Sequence, residues 1–225
     1  MGKPRRERRR QKSLQRKAIK RKEKIQVVRQ TMPRSPYALL RKAGSWPMYE
    51  CLATKAWQKP GEIIQILVAR RSPTGQVACG VFLVDLGCLG VKNGFASLFD
   101  SEGEYRETLR RRIVESQPMQ AVEPNLAAKI VREAIVYAQG LGLSPHRDSR
   151  DAMLVLGDAD PDTCDTPVPL GNGAGKPFFV AGPYDNVPLI MARLERAVGR
   201  DGFEYLVPLT RYESGSIDEG EEDRL

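Results

Sequence analysis

The alternation of apolar and polar positions places the firmest elements between residues 62 and 86. Glu62 to Arg71 (EIIQILVARR) and Gln76 to Leu86 (QVACGVFLVDL) are rich in Ile and Val and flank Ser-Pro-Thr-Gly at 72–75. This pattern predicts an antiparallel hairpin with a four-residue loop. The second strand is apolar at nearly every position, so it should be central and covered on both faces. Gly80 within it implies a bulge or the close approach of another backbone. Met48 to Thr54 predicts a further strand.

Helical spacing takes over after residue 103. Glu104 to Glu115 puts Tyr105, Leu109 and Ile113 on one stripe, with Arg110, Arg111 and Arg112 clustered across and beside it. Asn125 to Gln139 aligns Leu126, Ile130, Ala134 and Ala138 and stops at Gly140 and Gly142. A short helix from Pro36 to Lys42 is expected behind a Ser35 N-cap, ending at Gly44. No element is assigned between Gly142 and Asp158, and Asp158 to Gly175 reads as a long loop. Pro177 to Ala181 predicts a short strand. A helix capped by Asp185 follows, with Ile190, Leu194 and Val198 inward and Gly199 as its stop. Phe203 to Val207 would be the last strand. The sum is an α+β fold, a mixed or antiparallel sheet built around the central hairpin and packed with three to four helices.

Charge divides the chain more sharply than hydropathy does. The whole protein is +8, yet its first 24 residues hold 13 Lys/Arg against two Glu, a net of +11. Everything after them is therefore −3. Residues 213–225 hold six acids and one Arg, a net of −5. The organisation expected is a basic arm (1–33), a body (34–212) with two subdomains split near 120 as the alternative, and an acidic tail (213–225). Mutual repulsion should keep the arm disordered, or helical only in part, until an anion screens it. The tail, also expected to be disordered, can compete weakly for it, because exposed flexible charges are screened at physiological salt.

A dense cationic arm suits a polyanion, since each phosphate it neutralises releases condensed counterion without reference to base sequence. The expected contacts are Arg5, Arg6, Arg8, Arg9, Arg10, Lys12, Arg16, Lys17, Lys20, Arg21, Lys22 and Lys24, extended on the body by Arg110, Arg111 and Arg112. The arm contains no aromatic residue, so it supplies no base stacking. The bland readings of the arm are a solubilising tail or a nuclear-import address.

Hydrophobic content of 41% is in the globular range. Cys51, Cys79, Cys88 and Cys164 form no CxxC pair, and four cysteines in a chain of this length do not indicate a disulfide framework. The start is charged and without an apolar segment, and no run approaches the ~18 apolar residues of a membrane span. Arg6 stands where a myristoylation signal has Ser or Thr. These points give a cytoplasmic expectation, nuclear if the source is eukaryotic, and no membrane partner.

Several constellations approach a chemical motif and fall short. Asp158-Ala-Asp160-Pro-Asp162 opens like a calcium loop, but Thr163 replaces the glycine and Pro169 the closing glutamate. Gly171-Asn-Gly-Ala-Gly-Lys176 is one residue short of a phosphate loop, and Pro177 stands where Ser or Thr would hold magnesium. His146 is the only histidine, which excludes zinc catalysis on a histidine pair. Val81-Phe-Leu-Val-Asp85-Leu-Gly87 resembles the first strand of ribonuclease-H-like nucleases, where the carboxylate would bind a divalent ion. Asp85 is thus the candidate of a metal-dependent nuclease alternative, with Glu133, Asp148 and Asp151 as unlinked further carboxylates. The bland reading of Asp85 is a cap on the turn after a buried strand. No complete catalytic motif emerges, which points away from an enzyme, and no cofactor or resident metal is implied.

Two segments, Cys88-Leu-Gly-Val-Lys-Asn-Gly-Phe-Ala96 and Gly175-Lys-Pro-Phe-Phe-Val-Ala-Gly-Pro-Tyr-Asp-Asn-Val-Pro188, resemble a family of uncharacterised bacterial proteins. With Gly140-Leu-Gly-Leu-Ser-Pro-His146, the resemblance spans roughly residues 46–207. It implies no activity and carries over no catalytic residue. It does imply that Lys92, Asn93, Tyr184 and Asp185 belong to well-defined turns. The functional expectation is a nucleic-acid-associated protein, RNA favoured over DNA because ribosome-associated proteins commonly carry such extensions. A protein-interaction module with the arm as a localisation signal is the other alternative.

Overall fold

Ile64, Ile66 and Val68 project to one side of their strand and Leu67 and Ala69 to the other, and both sets are buried. That is the signature of a sheet covered on both faces. The computed structural model of the protein describes residues 37–207. Its main sheet is formed by β1 (Met48–Thr54), β2 (Ile63–Arg71), β3 (Val77–Asp85), β4 (Gly90–Phe99) and β5 (Met119–Ala121). The order is β4-β3-β2-β1-β5, antiparallel at every pairing. The hairpin predicted at 62–86 is present, with Ile63 opposite Asp85 and Arg71 opposite Val77.

On one face lie α1 (Tyr37–Ala43), α4 (Pro124–Gly140) and α5 (Ser149–Leu156). Leu40, Ile130, Val131, Ala134, Ala152 and Val155 pack there on Ile66, Val68, Phe82 and Val84. The opposite face is covered by one helical rod. It runs from α2 (Glu102–Tyr105) through a π-helical turn (Arg106–Arg110) into α3 (Arg111–Ser116). Tyr105, Leu109 and Ile113 seat it on Leu67, Ala69, Cys79, Val81 and Phe99. At the Asp85 end of the sheet stands a small unit of β6 (Phe178–Val180), α6 (Val187–Val198) and β7 (Glu204–Leu206), its two strands parallel. Phe179, Leu194 and Phe203 join it to Cys88, Leu89, Ala138, Leu141 and Leu143.

The α+β class and the antiparallel sheet agree with the sequence reading. Three elements were not read from the sequence: β4, β5 and α5. The segment expected to be a turn after Cys88 is mostly the ten-residue β4, kinked by a register shift opposite Leu83 and Val84. Gly80 is explained by α5, because a Cβ there would come within 2.8 Å of the Ala152 carbonyl oxygen. Asp185 does not cap α6; Asn186 does, its side chain accepting from Leu189 N. Val198 is exposed rather than inward. The chain passes residue 120 inside the sheet, where β5 pairs with β1.

Candidate functional site

The arm's cations, Arg5 through Lys24, and the acidic tail lie outside the described residues, as do Ser35 and Pro36. What the structure places is the set of candidates on the body.

Arg110, Arg111 and Arg112 do not form one cationic surface. The π-helical turn lengthens the backbone repeat locally, as such insertions do. Arg106 and Arg110 there meet Tyr49 and Glu50 of β1. Arg110 Nε donates to both carboxylate oxygens of Glu50 at 2.9 Å, and the Tyr105 hydroxyl donates to the same carboxylate. Arg106 donates to the Tyr49 hydroxyl, which donates to Glu102 Oε1 at 2.7 Å. The Arg106 guanidinium also stands 5.8 Å from the Tyr49 ring centroid. Arg71 closes the network on Glu102 Oε2 at 3.0 Å. Arg111 pairs with Glu107 one turn away at 2.8 Å, and Arg112 is exposed. The groove beside this network, about 600 Å³, is lined by as many carboxylates as guanidinium groups. Burial, then the hydrogen bond to Glu50, pushes the Tyr105 phenol far above its ordinary range. Tyr105 therefore remains a donor and fixes the Glu50 carboxylate as acceptor.

The sequence contained one unused signal for this network. Glu50 lies on the same side of β1 as buried Leu52, and a carboxylate at a core-facing position requires a partner.

Asp85 is buried at the end of β3, 2% exposed. Its Oδ1 accepts from Cys88 N at 3.0 Å and from Leu89 N at 3.3 Å, so it caps the turn into β4. Burial raises its pKa, against the lowering effects of those amides and of Lys92. Among the described residues no group of three or more His, Cys, Asp or Glu is gathered to hold a metal ion. Glu133 is engaged by Lys129 on its own helix, and Asp148 by His146.

Residues 88–96, 140–146 and 175–188 converge beside Asp85. Lys92 Nζ donates to Asp185 Oδ2 at 2.7 Å, and the same oxygen accepts from Gly182 N at 2.8 Å. His146 N donates to Val91 O. Cys88, packed with Leu141 and Phe179, has a thiol pushed far up by burial, so it stays protonated and un-nucleophilic. Cys51 is likewise pushed up, to about 12.

The two remaining loop candidates are structural. In 171–176 the Asn172 side chain accepts from Ala174 N and Lys176 N, which closes a tight turn. In the Asp-rich loop, Asp160 accepts from Asp162 N, Asp162 pairs with Arg132 at 2.6 Å, and Asp158 pairs with Arg70. Arg70 is 3% exposed and ties three segments together, donating to Trp46 O, Val155 O and Leu156 O.

No protein-family model matches the chain, and comparisons with curated proteins and with solved structures likewise give no match.

Proposed function

We propose that this protein binds nucleic acid, with RNA favoured slightly over DNA as the partner class, through non-specific phosphate contacts of its basic arm. The observation that carries the reading is the density of charge, +11 within 24 residues attached to a remainder of −3. A cationic segment of that density gains affinity for any phosphate chain by counterion release. Arginine grips phosphate oxygens in pairs and lysine adds point charge.

The body's arginines support a division of labour. Arg106, Arg110 and Arg111 are already matched by Glu102, Glu50 and Glu107. Affinity then rests on the arm, and the body presents it. A labelled single-stranded RNA of about 20 nucleotides, titrated between about 50 and 200 mM salt, tests this. Full-length protein should lose at least about a hundredfold in affinity over that range. Protein lacking residues 1–33 should bind far more weakly at low salt and show almost no salt slope. Equal binding by the two proteins at low salt overturns the proposal.

A further inference from the structure

We draw no further inference here: the strongest candidate, the groove between the end of α1, the start of β1, the N-terminus of α4 and the Asp-rich loop, carries nothing, because its buried cation, Arg70, is already engaged by Trp46 O, Val155 O, Leu156 O and Asp158, which leaves a helix N-terminus beside carboxylates with nothing in the structure that points to a ligand.

Discussion

Arg110 holds Glu50 by a bifurcated hydrogen bond, Nε lying 2.9 Å from each carboxylate oxygen. The Glu50 side chain is 16% exposed and that of Arg110 39%. The pair therefore sits between a surface bridge of little value and a buried one whose breakage is expensive. Tyr105 adds a second donor to the same carboxylate.

Arg110→Ala should destabilise the protein by about 1–3 kcal/mol, because Glu50 keeps its burial and loses its charged partner. Arg110→Lys should recover only part of this, since one ammonium does not reproduce the planar guanidinium geometry. Urea titration reads the stability. RNA affinity measured on the folded fraction should stay within about twofold of the native protein, as for other groups outside the phosphate footprint. A selective loss of affinity would return Arg110 to the footprint expected from its sequence cluster.

Asp85 gives a stability prediction with a definite sign. Burial raises its carboxyl pKa in the folded state. The folded protein then holds this proton more tightly than the unfolded chain. The stability contribution of the group is fully present below the ordinary carboxylate pKa and is lost as pH rises through the raised folded value. Asp85→Asn keeps an oxygen for Cys88 N and Leu89 N and has no charge to desolvate. It should be neutral or stabilising at pH 7 and should flatten the stability curve on the acidic side of neutrality. A metal-dependent nuclease makes a different demand on the same variant. If native protein cleaves RNA in Mg²⁺ and Asp85→Asn does not, with folding intact, Asp85 is a ligand rather than a turn cap.

Gly157 is fixed by two independent constraints. Its φ of +61° disfavours any side chain, and a Cβ would lie only 2.0 Å from Gly44 O and 2.9 Å from Arg70 Nη2. Gly157→Ala should cost about 2–4 kcal/mol, combining backbone strain with displacement of the junction where α1, α5 and Arg70 meet. Gly142→Ala is the control, since its φ is +74° but nothing lies within 4 Å of the Cβ position. It should cost only about 1 kcal/mol, the backbone share alone. Similar losses in the two variants would remove the close approach as the cause.

These positions also show what the sequence could and could not reveal. β2 and β3 were legible because Ile and Val fill them and a turn sequence separates them. β4 was not, because Gly90, Lys92, Asn93 and Gly94 have low strand preference; pairing with β3 and cover from Ser149 make it a strand. β5 is three residues long, below any periodic signal. α5 did carry a pattern, Ala152, Val155 and Leu156 at helical spacing, but eight residues between two loops gave it little weight. Arg110, Arg111 and Arg112 stand out because they are adjacent in sequence. Adjacent residues on a helix point in different directions, and here Arg110 meets Glu50 while Arg111 meets Glu107.

The Lys92–Asp185 pair ties the small β6–α6–β7 unit to the main sheet, and its energetics can be separated from the turn it sits in. Both side chains are largely covered, at 15% and 14% exposure, and the two charged groups lie 2.7 Å apart. Asp185 has a second task, accepting from Gly182 N. Asp185→Ala removes both interactions, whereas Asp185→Asn keeps an oxygen for Gly182 N and removes only the charge. Asp185→Asn should then leave the Lys92 ammonium covered and unpaired, at a cost of about 2 kcal/mol. Lys92→Met leaves Asp185 with its amide donor and should cost less. In the double variant Lys92→Met/Asp185→Asn no charge is left covered, so its loss should fall short of the sum of the two by at least about 1 kcal/mol. Stabilities from chemical denaturation of the four proteins give that coupling directly. Additive losses, to within about 0.3 kcal/mol, would mean that solvent screens the pair and that the apolar cluster around Phe179 and Leu194 alone holds the unit in place.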